Sequence, residues 1–308
     1  MKSVKQTWIL GRVFVEMTCS SKAEKTAHHQ SLHDLLASGA QLLRDAGVEN
    51  PRREARLLLQ HALGITPEAL LGLSPREEVA TEPFLGWVAR RARHEPFAYI
   101  TGSKGFWSLD LAVSTASLVP RGDTETLITA LLDACPDRTA PLSFLDLGTG
   151  SGCILLAALA EYRQAWGIGV DVNPAAASLA HANARRCNMA DRALVMAARW
   201  GDALAPQTRF DVVFSNPPYI PTPDLDGLME EVRAHEPVRA LDGGSDGLDA
   251  YRDLCARLPL LLRDDGVGIF EIGVGQEQAL RDIAAQNGLG VVRVLADLAG
   301  IARCVVLR

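Results

Sequence analysis

The sequence has little that would support metal, membrane or nucleic-acid binding. None of its six cysteines forms a C-x-x-C pair, which removes the usual spacing of a zinc or dithiol motif. Four of the six fall inside apolar helix or strand patterns, so they read as small buried hydrophobes of a reducing compartment, without disulfides. No apolar run approaches the length that crosses a bilayer. Basic charge is in deficit: 31 Lys and Arg face 37 Asp and Glu, a net charge of −6. A general nucleic-acid binder would carry a basic surface, although a local patch is compatible with this balance. What is abundant is apolar content, 48% of 308 residues, enough for a globular chain of two domains.

The first thirty residues stand apart. Trp8 to Val15 is short and apolar behind Lys2 and Lys5, but Gly11 and Arg12 break it and no small-residue cleavage pattern follows. Ser20 to Gln30 is polar, and Met17 is an alternative start. An extension over 1–30 is therefore expected, disordered or outside the true reading frame. From Leu32 the apolar residues recur with helical spacing, and Gly47 stops the first helix. Asn50-Pro51 and Thr66-Pro67 each place a cap before a first-turn proline. A fourth helix begins at Thr81 and ends before Pro96, giving a helical domain over 31–96. Arg90, Arg91 and Arg93 on it read as a solvated face, with docking on an acidic partner as the alternative.

From Phe97 to Val119 the period changes to two, which predicts a hairpin linker over 97–119 with Gly102 and Gly105 at its turn. Residues 120–308 then alternate strands with helices or helix-length segments. Strands are expected at 142–147, 165–170, 193–198, 210–215, 266–272, 291–295 and 302–307. The short link between the last two fits an antiparallel pair, not a crossover. The fold class is therefore α/β, a seven-stranded sheet with an antiparallel last strand, as in class I (Rossmann-like) methyltransferases, preceded by a small helical domain.

Two turns carry the chemistry. The tetrapeptide Asn216-Pro217-Pro218-Tyr219 follows the apolar run 210–215, where open α/β sheets place their ligands. Neither proline has an N–H and both fix φ, so the turn is stiff. Asn216 adds an acceptor and a donor, and Tyr219 a flat face, a set suited to gripping a planar amide or amino group. A lone Asn-Pro would simply start a turn; the glycine loop upstream changes that balance. Gly148-Thr149-Gly150-Ser151-Gly152 follows the strand ending at Leu147, and glycines let backbone approach a ligand closely. The strict dinucleotide fingerprint would want glycine at 153, which is Cys153, so the loop is of nucleotide type but not of the NAD version. Asp171, about 20 residues on, is placed to accept ribose hydroxyls.

These residues resemble the HemK/PrmC family of protein-(glutamine-N5) methyltransferases, which modify peptide-chain release factors. The matching segments include Glu95 to Ile100 with Gly102, Phe106-Trp107, Val119-Pro120-Arg121, Asp146 to Gly152, Asp171, Asn216 to Ile220, Glu236-Pro237, Gly243 to Leu248, Glu271-Ile272-Gly273 with Gln276, and Asp297 to Arg303. The resemblance covers about 32–308. It implies S-adenosylmethionine at Gly148 to Gly152, with its ribose on Asp171, and S-adenosylhomocysteine as product. Asp202 is expected near the adenine and Asn216 beside the cofactor. It further implies that Asn216, Pro217, Pro218 and Tyr219 hold the glutamine of a Gly-Gly-Gln loop, with Asn216 and Pro217 as the catalytic residues. The helical domain would dock the substrate protein. Class 1 release factors are the expected partners of a cytoplasmic monomer, without metal, membrane or direct nucleic-acid binding.

Two positions depart from the family. Gly122-Asp123 replaces the usual Pro-Glu, and Asp123 or Thr124 is read as a helix cap. Ala203 stands where a large apolar residue often walls the adenine pocket, a gap that Leu204 or Trp200 would fill. His235 beside Glu236 reads as structural. Two competing readings share the turn: an amino methyltransferase of nucleic acid, which would need a target-reading region and a basic channel, and a binding protein that keeps the cofactor site without turnover.

Overall fold

A computed structural model describes residues 29–308. The apolar stretch at Trp8, the Met17 start and Cys19 lie outside the described residues. His29 and Gln30, expected to belong to the extension, already pair in a strand.

The chain opens with β1 (His29–Ser31), then α1 (Leu32–Asp45), α2 (Pro51–Leu63), α3 (Pro67–Gly72), β2 (Glu78–Ala80) and α4 (Phe84–Arg91). Ser31 caps α1 by accepting from the Asp34 N–H, and Thr66 caps α3 through the Ala69 N–H. Gly47 and Gly64 leave α1 and α2 with positive φ, where glycine is unstrained. Asn50 precedes α2 in a left-handed conformation and makes no side-chain cap. Leu35, Leu43, Leu58, Leu59, Phe84 and Val88 meet as a fully buried core, as the helical spacing required. The β1–β2 ribbon was not expected.

The linker differs from its sequence reading. Residues Phe97–Thr101 form a helix, α5, which Gly102 ends at φ +76°. The hairpin is confined to β3 (Ser103–Phe106) and β4 (Leu109–Ala112), and its turn is at Trp107, φ +54°, not at the glycines. Tyr99 is buried and donates its hydroxyl to the Ser117 carbonyl at 2.6 Å. Alternation over five residues was outweighed by Pro96 fixing the helix start and by Thr101 bonding back to the Phe97 carbonyl at 3.1 Å.

After α6 (Glu125–Ala134) the sheet is built from β5 (Ser143–Leu147), β6 (Trp166–Asp171), β7 (Ala193–Ala197), β8 (Phe210–Ser215), β9 (Leu262–Glu271), β10 (Val291–Ala296) and β11 (Ala302–Leu307). Helices α7 (Cys153–Glu161), α8 (Pro174–Arg186), α9 (Glu230–His235), α10 (Asp249–Leu261) and α11 (Glu277–Gln286) lie between them. Strand order is β10-β11-β9-β8-β5-β6-β7, with β11 antiparallel to both neighbours and the other described pairs parallel. This is the expected class I arrangement. Residues of α6, α7 and α8 cover one face and those of α10 and α11 the other, so the central strands are buried on both sides, while β7 and β10 at the edges are partly exposed. The five described cysteines are all free. No described helix is long and apolar enough to cross a membrane.

The three arginines of α4 and its end do not form a solvated face. Arg90 is bonded to Glu95 at 2.8 Å and reaches the carbonyls of Tyr99 and Ile100. Arg91 is buried, pairing Glu54 at 2.8 Å and, across to α9, Glu231 at 2.8 Å. Of the three, only Arg93 has an exposed side chain, and its carbonyl accepts from His235 Nε2–H at 2.9 Å. These contacts tie the helical unit to the segment after the Asn216 turn. Glu231→Ala removes one of two carboxylates from Arg91 but leaves Glu54 in place. We expect a loss of about 0.5–1 kcal/mol, read as a thermal midpoint lower by about 1–4 °C, with the fold intact.

Candidate active site

Strands β8, β5 and β6 are neighbours, so their C-terminal ends set Asn216, the loop 148–152 and Asp171 side by side. Together they border a cavity of about 340 Å³. Its lining includes Gly148, Thr149, Gly150, Ser151, Asp171, Asn216 and Pro218. The structure thus brings together residues that are far apart in sequence but were selected by their positions at strand ends.

The loop takes its shape from backbone contacts. Gly148 and Gly150 have φ of +79° and +55°, which favour glycine. The N–H groups of Gly148 and Thr149 both donate to the Val170 carbonyl, at 2.8 and 3.0 Å. Beneath the loop, Asp146 is fully buried and accepts the Thr149 hydroxyl at 2.7 Å. Burial pushes its pKa up to about 7. Gly152 does not line the cavity; a Cβ there would stand 3.2 Å from the Ala180 Cβ, so it serves the packing of α8.

Asp171 holds the loop as well as facing the cavity. Its Oδ2 accepts from the Gly150 N–H at 2.9 Å and its Oδ1 from the Asn173 N–H at 2.8 Å. Burial raises its pKa, while those two N–H groups and the charge of Arg239 oppose the rise. An ionised carboxylate has about four acceptor sites, so two remain for hydroxyls of a ligand.

At the Asn216 turn, the side-chain Nδ2 donates to Thr124 Oγ1 at 3.1 Å, and Oδ1 is left as an acceptor. Pro217 and Tyr219 are not among the lining residues. Tyr219 does not offer its ring as a platform: its hydroxyl turns inward to Glu271 Oε1 at 3.3 Å, and burial raises its pKa. Its carbonyl accepts from Gln276 Nε2 at 2.9 Å, which fixes the end of the turn.

Two further expectations are corrected and one alternative is decided. Asp202 is exposed and pairs with Arg257 at 2.5 Å, away from the cavity lining; an exposed ion pair satisfies it. Of the two residues offered for the wall beside Ala203, Trp200 lines the cavity and Leu204 does not. Neither Thr124 nor Asp123 caps α6: Thr124 is already helical in its backbone and turns its hydroxyl to Asn216, while Asp123 pairs with Arg303 at 3.2 Å.

The residue readings had assigned no role to the clasp over the cavity. Glu236 is buried; its Oε1 meets Arg121 at 2.5 Å and its Oε2 accepts from the Val119 N–H at 3.2 Å. Burial raises its pKa and Arg121 opposes the rise. The bond ties the wall at 116–121 to the wall at 237–240. Both partners stand in segments that carry the family resemblance, which was the available signal. Among the described residues no group of three or more His, Cys, Asp or Glu side chains is placed to hold a metal ion.

Known proteins share these features. A family described as "PrmC N-terminal domain" matches residues 34–102, and one described as "Methyltransferase small domain" matches 123–231. A release factor glutamine methyltransferase of Rhodospirillum rubrum is 45% identical over 282 residues, covering 89% of this chain and 84% of that protein. Its counterpart in Caulobacter vibrioides is 42% identical over 259 residues, covering 83% and 89%. Among solved structures, the hMettl16 catalytic domain in complex with an RNA hairpin superposes with TM-score 0.52 at 13% identity, covering 75% of this chain and 84% of that one; this likeness concerns the fold alone.

Proposed function

The chain belongs to the release factor glutamine methyltransferase family, and from that premise we propose how its residues carry out the transfer. The enzyme moves a methyl group from S-adenosylmethionine to the side-chain amide nitrogen of a release-factor glutamine, the one in the Gly-Gly-Gln loop. The observation that carries this reading is the pairing of an amide acceptor, Asn216, with the glycine loop and Asp171 around one cavity.

The cavity fits the cofactor. Its lining is largely backbone and apolar, with Asp171 at one edge, Trp200 at another and a Ser117 hydroxyl that is buried without a hydrogen-bond partner. Gly148 to Ser151 would hold the amino-acid portion, Asp171 the ribose and Trp200 the base. The bound sulfonium supplies an electrophilic methyl group. A primary amide nitrogen is a poor nucleophile because its lone pair is delocalised, so the protein's task is positioning. The Asn216 Oδ1 accepts one N–H of the substrate amide and the Pro217 carbonyl the other. As charge develops on that nitrogen both bonds strengthen, which lowers the barrier selectively. The proton is released to water. No side chain is required as a base.

The helical unit supplies docking surface beyond the Gly-Gly-Gln loop, since specific recognition buries about 800 Å² per partner. Arg90 and Arg91 are engaged in internal pairs, so Arg93 is the candidate contact of the three. Arg93→Glu is expected to lower kcat/KM on intact release factor several-fold, on the order of 3–10, and to leave a short Gly-Gly-Gln peptide unaffected. Equal losses on both substrates would remove Arg93 from docking. The protein works as a monomer in the cytoplasm.

Methyl transfer from labelled S-adenosylmethionine tests the function. Label should enter a class 1 release factor, fail to enter one whose Gly-Gly-Gln glutamine is replaced, and fail to enter DNA. Label in DNA, or in the substituted release factor at the same rate, would overturn the reading.

A further inference from the structure

Glu271 ends β9 with its side chain inside the protein, next to the Asn216 turn. It is 2% exposed, and its Oε2 has no hydrogen-bond partner among the described residues. No described residue places a cation on it directly. Arg303 acts on it from nearby but bonds to Asp123 at 3.2 Å and Asp297 at 3.0 Å. A buried carboxyl that is not fully paired costs stability, which calls for an explanation in function.

Its neighbours supply one. Tyr219 donates its hydroxyl to Oε1, and the buried Thr124 hydroxyl stands beside the carboxyl without closing a hydrogen bond of normal geometry. The Thr124 oxygen has one proton to give and already accepts from Asn216 Nδ2. Its proton is therefore free for the Glu271 carboxylate, the buried acceptor beside it. The chain then has one polarity: Asn216 gives to Thr124, Thr124 turns its proton toward Glu271, and the Asn216 oxygen is the atom left for the substrate. If Glu271 were instead the donor, Thr124 would give to Asn216, whose amide would turn and offer N–H groups to a substrate that also offers N–H groups.

Building on the function proposed above, we propose that Glu271 is a positioning residue for the methyl transfer, acting through the Thr124 hydroxyl to keep the Asn216 oxygen facing the substrate glutamine. It touches neither substrate nor cofactor. Its role requires the ionised form.

Burial raises the Glu271 pKa to about 7 against the hydroxyls of Thr124 and Tyr219 and the charge of Arg303. Asp123 adds to the rise. The other titratable groups facing it are Tyr251, which donates to its backbone carbonyl at 3.0 Å, and Cys153 and Cys304, whose thiols feel its charge and are themselves raised by burial. None of the three thiol or phenol groups ionises near neutrality; Asp146, under the glycine loop, is the other buried carboxyl raised to about 7, and E271Q separates the two. Turnover should fall as pH drops through about 7, where Glu271 takes up a proton, and level off above it.

The test compares wild-type enzyme with E271A, E271Q, T124V and T124S on intact release factor across pH 6 to 9. Cofactor affinity is measured in parallel by calorimetry. E271A and T124V should each lower kcat by about 10- to 100-fold, as loss of an outer partner of a reacting group does, with cofactor affinity unchanged. T124S, which keeps the hydroxyl, should restore most of the turnover that T124V loses. E271Q still offers an acceptor, so it should keep more activity than E271A, but its kcat should lose the pH step. Should E271A fail to fold, T124V carries the same test. Wild-type turnover in T124V or E271A, or an unchanged pH step in E271Q, would overturn the proposal. A matched loss of cofactor affinity and turnover would also overturn it, because that marks a structural role only. Absence of methylation by the wild-type enzyme would instead strike the proposed function itself.

Discussion

Asn216→Ala is expected to lower turnover by about 10²–10³-fold, the loss found when one preorganised polar partner is removed from a reacting centre. Cofactor affinity should change little, because the glycine loop and Asp171 keep their own contacts. Truncation removes both the acceptor for the substrate amide and the donor that Thr124 receives at 3.1 Å. Asn216→Asp is informative as a partner variant. It retains an acceptor, but an ionised Asp has no N–H for Thr124 and places a second negative charge near Glu271. It should be impaired as well. Single-turnover methylation of release factor, with cofactor binding measured separately, distinguishes loss of chemistry from loss of binding. A near-normal rate in Asn216→Ala would show that the amide is held elsewhere.

Asp171→Ala should weaken cofactor binding by about 10- to 100-fold, the equivalent of roughly 1.5–3 kcal/mol for hydrogen bonds to a charged group. Two causes act together. The ribose loses a carboxylate acceptor, and Gly150 loses the 2.9 Å bond that holds the loop in shape. Asp171→Asn should also be impaired, since one of its two positions becomes an N–H facing a backbone N–H. The effect has a pH signature. Burial raises the Asp171 pKa, so acidification should protonate it earlier than an exposed Asp and weaken cofactor binding, with no change toward alkaline pH. Calorimetric titration of the purified variants checks both points. Unchanged affinity in Asp171→Ala would remove the residue from the site.

Much of the sheet was legible because parallel strands buried on both faces are continuous apolar runs, and because the six-residue link from Ala296 to Ile301 is too short for a crossover. The strand ends at Leu147, Asp171 and Ser215 then placed the loop, the carboxylate and the Asn216 turn. Periodicity failed on short elements: three-residue strands such as β1 and β2 have no period to read. It failed again at Phe97–Thr101, where five residues of apparent alternation form a helix. Arg90 and Arg91 looked solvated because their partners Glu95, Glu54 and Glu231 are set by tertiary packing, not by helical spacing. Thr124 looked like a cap for the same reason, since its partner is 92 residues away. Asp202 was placed by analogy of position, and the structure puts its side chain on Arg257.

The clasp between Arg121 and Glu236 joins positions 115 residues apart. That separation governs when, during synthesis, a binding cavity can exist. The helical unit is held by contacts within 29–100 and can fold as soon as it leaves the ribosome. The cavity has no such early form. Its floor needs β6 and β8, and its roof needs the segment at 237–240. A nascent chain that ends before residue 240 has the glycine loop but no enclosure around it, and closing so long a loop is the slow, entropically costly part of folding. Cofactor binding should therefore begin only after nearly four-fifths of the chain has been made, and the bound ligand should favour the last closure over its reversal.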